Sequence, residues 1–276
     1  MDLKNIGVWI SGRILDEDSA GRAAALAEEL GFGAVWVGGS PRLPSLRPML
    51  SAGQSIPIAT GIVNIWQYDP DQLAAEFAEL DDEFPGRLLL GIGIGHPEAT
   101  SEYRKPLTKT SEFLDGLDAA ERPVPADRRC LAALGPKMLD LSAARSLGTH
   151  PYFTPVAHTR FARERLGSGP LIAPELACVV GEDPGRERAR AYGANYLRMS
   201  NYTNNLLRFG YEQSDIENGG SDRLIDEVVP QGSPQHIAEM ARAHLDAGAD
   251  HVCVQQVGAS ELPEREWRAL AGALLA

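Results

Sequence analysis

The stretch LLLGIGIGHPEA, from Leu88 to Ala99, carries the clearest chemical signal in the sequence. An uncharged run leads into alternating glycines and ends on His96, whose imidazole can exchange a proton near neutral pH. A strand that is apolar on both faces is typical of a parallel sheet covered by helices. In a closed (β/α)8 barrel the carboxyl end of each strand faces the active site. We therefore predict His96 as a catalytic residue, with cofactor binding and loop capping as the alternatives.

Several other polar or aromatic side chains stand at predicted strand ends, where they would surround the mouth of such a barrel. They are Trp9, Ser11, Ser40, Asn64, Trp66, Tyr152 and Gln255. Because aromatic side chains at such positions can enclose a small ligand, Trp9, Ser11, Trp66 and Tyr152 are predicted to line a substrate pocket. Packing in the core is the alternative for the tryptophans. The six histidines are scattered and no strand carries a His-x-His pair, so we expect no metal site.

Eight predicted strands would position these residues, and helices alternate with them along the chain. The strands are predicted at residues 6–10, 34–37, 58–63, 88–92, 129–134, 150–153, 176–180 and 251–256. The best-marked helices are predicted at 17–30 and 70–84. Alternation of this kind predicts an α/β protein with a parallel sheet, and eight units favour a closed (β/α)8 TIM barrel over an open doubly wound sheet.

Length and charge narrow the classes of partner. The 276 residues fit one barrel, so we predict a single domain over residues 1–276, with an irregular insertion around 200–229. A net charge of −12 and the lack of a basic run argue against nucleic acid as a partner. No window approaches the roughly 20 apolar residues that a membrane span needs, so we expect a cytoplasmic protein. The three cysteines have apolar neighbours and are expected to be buried and unpaired.

The segment from Ala59 to Ala99 resembles the third and fourth units of the bacterial luciferase-like superfamily, in particular its coenzyme F420-dependent oxidoreductases. The shared features are a Thr-Gly turn, an Asp-Pro helix start, Phe-Pro-Gly-Arg before the next strand and Gly-x-Gly-x-Gly at its end. The motifs AALGPKML, HPYFTP and HLDAGADHVCVQ extend the resemblance along almost the whole chain. No single motif is decisive, and the specificity lies in their order and spacing.

The resemblance implies a set of cofactor contacts. The peptide bond after the Thr-Gly turn is often cis in this family and supports the middle ring of the deazaflavin, which here implies Gly61 and Ile62. The segment after the fifth strand lies against the cofactor's side chain and phosphate, and a helix amino terminus beside Lys137 suits an anion. The implied contacts are Ser40, Gly61, Ile62, Asn64, Gly95, His96, Ala133, Leu134, Gly135, Pro136, Lys137 and Thr154. An ordinary strand end and a plain turn are the alternatives.

This chain departs from the sugar-phosphate dehydrogenase branch of the family in two places. The sugar-phosphate dehydrogenase branch of the family carries an Asp-His pair after the second strand, whereas this chain reads Gly38-Gly39-Ser40-Pro41. That branch often has a glutamate where this chain has His96. Sugar-phosphate oxidation is therefore in doubt, and a different carbonyl, imine or activated alkene substrate is open.

The resemblance implies an oxidoreductase that transfers a hydride between coenzyme F420 and a small organic substrate, because the overall pattern is closer to the F420-dependent branch than to the two-component oxygenases. The first alternative is an FMN-dependent monooxygenase that needs a reductase partner. The second is a non-catalytic barrel that only holds a flavin or deazaflavin. The family also implies a homodimer, formed through helices such as the one predicted at 70–84.

Overall fold

Short apolar strands form the centre of the molecule, which we describe from a computed structural model covering residues 1–99, 103–181 and 185–275. All pairings between strands are parallel, as the doubly buried sequences predict. The strands are β1 Ile6–Ser11, β2 Val35–Gly38, β3 Ile58–Thr60, β4 Val63–Asn64, β5 Leu88–Gly93, β6 Arg129–Leu131, β7 Gly148–Thr149, β8 Leu171–Ile172, β9 Glu175–Val180, β10 Gln231–Gly232 and β11 Val252–Gln256.

These strands close into a barrel of eight staves. Strands β3 and β4 are two halves of the third stave, since both pair with β5, and β8 and β9 are two halves of the seventh. Ring closure occurs at this seventh stave, where the N–H groups of Ala173 and Glu175 donate to Thr149 and Pro151 at 2.9 Å. On its other side β9 pairs with β11, which pairs with β1. The predicted TIM barrel is confirmed.

Helices cover the outside of the barrel. Helix α1 begins at a capping box between Asp16 and Ser19, and α3 begins where Asp69 accepts the N–H groups of Asp71 and Gln72. The helices are α1 Glu17–Glu29, α2 Arg47–Ala52, α3 Pro70–Glu83, α4 Pro106–Ala119, α5 Pro136–Arg145, α6 Val156–Leu166, α7 Gly185–Tyr196, α8 Ser200–Arg208, α9 Gln213–Ile216, α10 Asp222–Val228, α11 Pro234–Asp246 and α12 Glu264–Leu274.

The structure differs most from the sequence prediction at the sixth stave and in the segment 200–229. The fifth strand is also shorter than predicted and ends at Leu131, and the third is divided between β3 and β4. The sixth stave is β7 at Gly148–Thr149 and not 150–153, because Pro151 has no N–H for the ladder and Phe153 turns the chain with a φ of 53°. The segment 200–229 is not irregular, since it contains α8, α9 and α10. Its polar composition hides a buried helical face at Tyr202, Asn205 and Leu206.

The prediction of buried, unpaired cysteines agrees with the structure. Cys130, Cys178 and Cys253 are unpaired and buried in strands β6, β9 and β11. Among the described residues, no helix combines the length and apolar character that crossing a membrane requires. The same residues include no group of three or more His, Cys, Asp or Glu side chains suited to hold a metal ion.

Candidate active site

A pocket of about 850 Å³ opens at the carboxyl ends of the barrel strands. This is the end at which barrel enzymes carry their active sites. The pocket brings together most of the residues that the sequence singled out, from all sides of the barrel. The predicted residues that line it are Trp9, Ser11, Ser40, Gly61, Ile62, Asn64, Gly95, His96, Ala133, Leu134, Gly135, Tyr152 and Gln255.

Four predicted site residues do not line this pocket. Trp66 donates its indole N–H to the carbonyl of Ile94 at 2.9 Å and packs against the core, as a structural tryptophan would. Pro136 and Lys137 form the first turn of α5 beside the pocket, with Lys137 exposed. Thr154 is buried beyond the pocket wall, 2% exposed, and its hydroxyl has no hydrogen-bond partner among the described residues.

Main chain at Gly61 forms part of the pocket surface. The Gly61–Ile62 peptide bond is cis, as the resemblance implies. A Cβ atom on Gly61 would lie 2.5 Å from Trp9 Nε1 and 3.3 Å from His150 Nε2. The distance to Trp9 is shorter than real Cβ atoms show. The position therefore requires glycine, which lets the backbone pack directly against the Trp9 side chain.

Two buried polar atoms beside Gly61 lack partners in the described part of the chain: Trp9 Nε1, a donor, and His150 Nε2. His150 Nδ1 lies 2.7 Å from the carbonyl of Ala173, which places its proton on Nδ1 and leaves Nε2 as an acceptor. Burial lowers the pKa of His150 to about 4, so the ring is neutral near pH 7. Buried polar groups are normally paired, so this donor and acceptor indicate a ligand with polar ring-edge atoms.

The start of helix α5 offers a separate feature, suited to an anion. Gly135 is the residue before the helix. No side chain of the described residues caps the N–H groups of the helix, and its first turn contains no acidic residue. A Cβ on Gly135 would meet nothing within 4 Å, so its surroundings are open. Unpaired N–H groups and the helix dipole favour negative charge at such a position. Together with the polar atoms beside Gly61, these residues fit a flat flavin or deazaflavin ring with a phosphate tail.

His96 lies half-buried at the pocket edge, in the loop after β5. Its Nδ1 is 3.1 Å from Asn201 Oδ1, and its ring centroid is 5.1 Å from that of Tyr202. Burial is the main cause that lowers the pKa of His96, so the imidazole is neutral near pH 7. With Asn201 Oδ1 as acceptor the proton resides on Nδ1, and Nε2 makes no hydrogen bond within the described residues. That nitrogen can accept a proton from a bound substrate.

One wall of the pocket was not predicted from the sequence and consists of tyrosines from the segment after β9. Tyr192 and Tyr196 come from α7 and Tyr202 from α8, and all three line the pocket with Tyr152. Tyr192 and Tyr196 are four residues apart on one helix face, which was the available signal. Arg13, Gln67, Tyr103, Met138, Asn201 and Gln256 also line the pocket and were not predicted.

The hydroxyls of Tyr152, Tyr192 and Tyr196 meet at Gln255, and we call these four residues the tyrosine cluster. Tyr152 donates to Gln255 Oε1 at 2.7 Å and lies 2.5 Å from the Tyr192 hydroxyl and 3.2 Å from that of Tyr196. Burial raises the pKa values of these phenols, so the hydroxyls are protonated near pH 7. The cluster is therefore an uncharged polar surface on an aromatic wall.

A buried carboxyl lies close behind this wall. Glu175 is 1% exposed, its Oε1 has no partner among the described residues, and burial raises its pKa to about 8. Within the described residues its side chain accepts one hydrogen bond, a long one of 3.4 Å from the N–H of Phe153 to Oε2. At neutral pH Glu175 is therefore mostly protonated, which keeps the tyrosine wall next to a neutral group.

Comparison with known proteins gives a family and a fold. A profile of the family described as luciferase-like monooxygenase matches residues 5–251. No curated protein sequence is significantly similar to the chain.

Three solved structures illustrate the similarity in fold. A coenzyme F420-dependent tetrahydromethanopterin reductase from Methanopyrus kandleri has a TM-score of 0.79 at 16% identity, over 99% of this chain and 98% of the reductase. An F420-dependent secondary alcohol dehydrogenase in complex with an F420-acetone adduct has a TM-score of 0.73 at 16% identity, over 98% of both chains. The oxygenating constituent of 3,6-diketocamphane monooxygenase from Pseudomonas putida, in complex with FMN, has a TM-score of 0.65 at 13% identity, over 98% of this chain and 96% of that one.

Proposed function

The chain belongs to the luciferase-like monooxygenase family, and we propose that it is a coenzyme F420-dependent oxidoreductase that acts on a small organic molecule. The observation that carries the proposal is the barrel-mouth pocket, in which half-buried main chain at Gly61 adjoins Trp9 Nε1 and His150 Nε2, two polar atoms without a partner among the described residues. Enzymes of this kind leave the redox step to the cofactor, and the protein binds, orients and shields it. The pocket has the size and the groups for that task.

The residues that would hold the cofactor divide into ring and tail contacts. Gly61 and Ile62 would support the ring, while Trp9 Nε1 and His150 Nε2 would pair with its polar edge. Gly135 and the N–H groups that open α5 would hold the phosphate, with Lys137 adding charge from the first turn. When bound, coenzyme F420 would supply hydride transfer at its C5 atom.

His96 is the proposed proton carrier. Its neutral ring has an accepting Nε2, which suits removal of a proton from a substrate hydroxyl during oxidation, and return of that proton to a carbonyl oxygen during reduction. Asn201 would hold the ring in this tautomer through its contact with Nδ1. The site therefore supports interconversion of an alcohol and a carbonyl compound.

The second candidate is an FMN-dependent monooxygenase served by a separate reductase, because one similar fold is an oxygenating enzyme in complex with FMN. The two F420-dependent enzymes have the higher TM-scores, and the chain's motifs resemble their branch, so we favour coenzyme F420. We also propose that the protein is a homodimer, as the family resemblance implies, and that it is cytoplasmic, as its amino-acid sequence predicts.

A titration with each cofactor tests the proposal. The deazaflavin and flavin chromophores are distinguished by their absorbance and fluorescence, and we expect coenzyme F420 to bind with a Kd of about 1 µM or lower and FMN about tenfold more weakly. Tighter binding of FMN would favour the monooxygenase. Absence of binding by both cofactors in the micromolar range would end both enzymatic proposals.

A further inference from the structure

Arg13 is unusual among the residues that line the pocket. In the described part of the chain it is the only permanently charged side chain in the lining, and no Asp or Glu side chain contributes to it. The whole chain has 38 acidic and 26 basic residues, so this local excess of positive charge runs against the net charge of −12. A basic pocket in an acidic protein attracts anionic ligands and disfavours cations.

Arg13 has no carboxylate partner within residues 1–99, 103–181 and 185–275. Twelve other arginines of the chain form ion pairs there, including Arg22, Arg128 and Arg223. The guanidinium of Arg13 also makes no hydrogen bond to those residues, and only its backbone N–H is engaged, by Ser11. Its five N–H donors are therefore available to a ligand.

The position of Arg13 is set by the glycine turn after β2. The site that a Cβ on Gly39 would occupy lies 3.4 Å from Arg13 Cγ and 3.5 Å from its Nε, so the arginine side chain runs alongside this glycine. Gly39 has a φ of 85°, which a larger residue adopts only with strain. In this chain the Gly38-Gly39-Ser40 turn thus leaves room for the arginine.

Barrel geometry separates Arg13 from the predicted phosphate site. Arg13 follows β1, the first stave, whereas Gly135 follows β6, the fifth stave of eight. These staves are diametrically opposed in a closed eight-strand ring, and Gly61 on the third stave lies between them. A cofactor with its ring at Gly61 and its tail at Gly135 leaves Arg13 on the remaining side of the pocket.

Uncharged polar groups adjoin Arg13 on that side. The tyrosine cluster includes Gln255 on β11, the strand paired with β1, and the charge of Arg13 lowers the pKa of Tyr196 against the larger effect of burial. Trp9 packs beside this cluster, with its ring centroid 5.6 Å from that of Tyr152. An anionic group at Arg13 would therefore sit beside hydroxyl groups and aromatic faces.

We propose that Arg13 binds the carboxylate of an anionic substrate, whose remaining part lies against Trp9 and the tyrosine cluster. The proposal rests on the proposed function, because it assigns the substrate class of the same pocket. Arginine suits a planar carboxylate, since its fork of N–H groups pairs with both oxygens. The substrate would then be a small hydroxy acid or oxo acid in which the carboxylate anchors the molecule.

Benzoate and benzamide are matched probes, because they share a planar shape and only benzoate is charged near neutral pH. We expect calorimetric titration of the cofactor-free protein to give benzoate at least about tenfold the affinity of benzamide. Arg13→Gln should remove this preference. Arg242→Gln should preserve it, because Arg242 is an exposed arginine on α11, outside the pocket lining and without an ion pair in the described residues.

Three results would overturn the proposal. In the first, neither probe binds or both bind with equal affinity. In the second, the preference for benzoate persists in Arg13→Gln. In the third, Arg13→Gln lowers the affinity for coenzyme F420 about tenfold or more, which would assign Arg13 to the anionic tail of the cofactor. Failure of the proposed function is a separate result. If the wild-type protein binds no cofactor but prefers benzoate through Arg13, the carboxylate site stands and the F420 assignment falls.

Discussion

The two sides of the pocket are built by different means. The side formed after β3, β5 and β6 contains most of the glycines and alanines of the lining, such as Gly61, Gly95 and Gly135, where main chain borders the pocket. The side formed after β7, β9 and β11 consists of aromatic and amide side chains, held over the buried Glu175. From this contrast we propose that the first side supports most of the cofactor and that the second side selects the substrate, with Trp9 Nε1 and His150 Nε2 as the side-chain contacts to the cofactor ring. Variants of each side test whether this division is real.

The largest effect is expected at His96, which stands between the two sides. His96→Ala should lower turnover by about 100-fold to 10,000-fold, because a general acid or base contributes that range. The affinity for coenzyme F420 should change little. Turnover can be measured from cofactor absorbance once a screen of hydroxy acids, oxo acids and simple alcohols has supplied a substrate.

His236→Ala is the matched control, since His236 is an exposed histidine on α11 outside the pocket. Burial lowers the pKa of His96, so the rate of substrate oxidation should fall only below the ordinary histidine range, where the ring becomes protonated. Equal losses of turnover and cofactor affinity in His96→Ala would make His96 a binding residue.

The backbone side can be blocked at Gly135. Gly135→Leu should weaken the binding of coenzyme F420 by about 10-fold to 100-fold, because the new side chain would project into the open space by the α5 amino terminus. The fold should remain stable, since a Cβ there meets nothing within 4 Å. Fluorescence titration gives the affinity, and thermal unfolding gives the stability.

Gly169→Leu provides the control for this variant. Gly169 has the same open surroundings but lies outside the pocket, so its substitution should leave cofactor affinity unchanged. Equal affinities in wild type and Gly135→Leu would remove the cofactor tail from this helix.

The stability of the protein should depend on the protonation of Glu175, which lies behind the tyrosine cluster. Its pKa is about 8 in the folded protein and 4.5 when unshifted, so the folded state binds the proton more tightly. The resulting stabilisation is complete below pH 4.5 and is lost as pH rises toward 8. Relative to Glu175→Gln, the wild-type free energy of unfolding should fall by at most about 1.4 kcal/mol per pH unit across this window.

Urea unfolding of both proteins at several pH values gives this difference in free energy. The contribution of the buried histidines to the pH dependence cancels in the difference, because both proteins contain them. A difference that stays constant with pH would show that Glu175 ionises normally. The wall would then contain a charge, and its neutral character would be wrong.

The smallest effect is expected from Tyr152→Phe. Loss of the hydrogen bond to Gln255 should cost about 1 kcal/mol of unfolding free energy. The Kd for coenzyme F420 should be unchanged, because the tyrosine cluster belongs to the substrate side. A large rise in that Kd would place the cofactor against this wall and would break the division between the two sides.

The sequence predicted the two sides unequally, and the reason is physical. Strand ends, helix starts and their alternation are local signals that predicted the barrel, whereas the Gly61–Ile62 bond and most of the backbone side followed from the family resemblance that the short motifs carry. Tyr192, Tyr196 and Tyr202 lie in a polar segment whose helices depend on packing against the barrel, and the local signal was limited to the four-residue spacing of Tyr192 and Tyr196. Arg13 was missed because its place beside Gly39 depends on how the loops after β1 and β2 pack against each other.

Trp66 shows the opposite error. Its place at a strand end favoured a pocket role, but a backbone acceptor at Ile94 satisfies its indole N–H and turns it into a packing residue. Proximity to a strand end therefore predicts position along the barrel axis better than the direction of a side chain.

A crystal structure of the protein with coenzyme F420 tests the central claim most directly. We expect the deazaflavin ring in van der Waals contact with Gly61 and Ile62, its polar edge within hydrogen-bond distance of Trp9 Nε1 or His150 Nε2, and its phosphate at the amino terminus of α5. A deazaflavin ring stacked on the tyrosine cluster would contradict the account, as would a cofactor phosphate held by Arg13 instead of the amino terminus of α5.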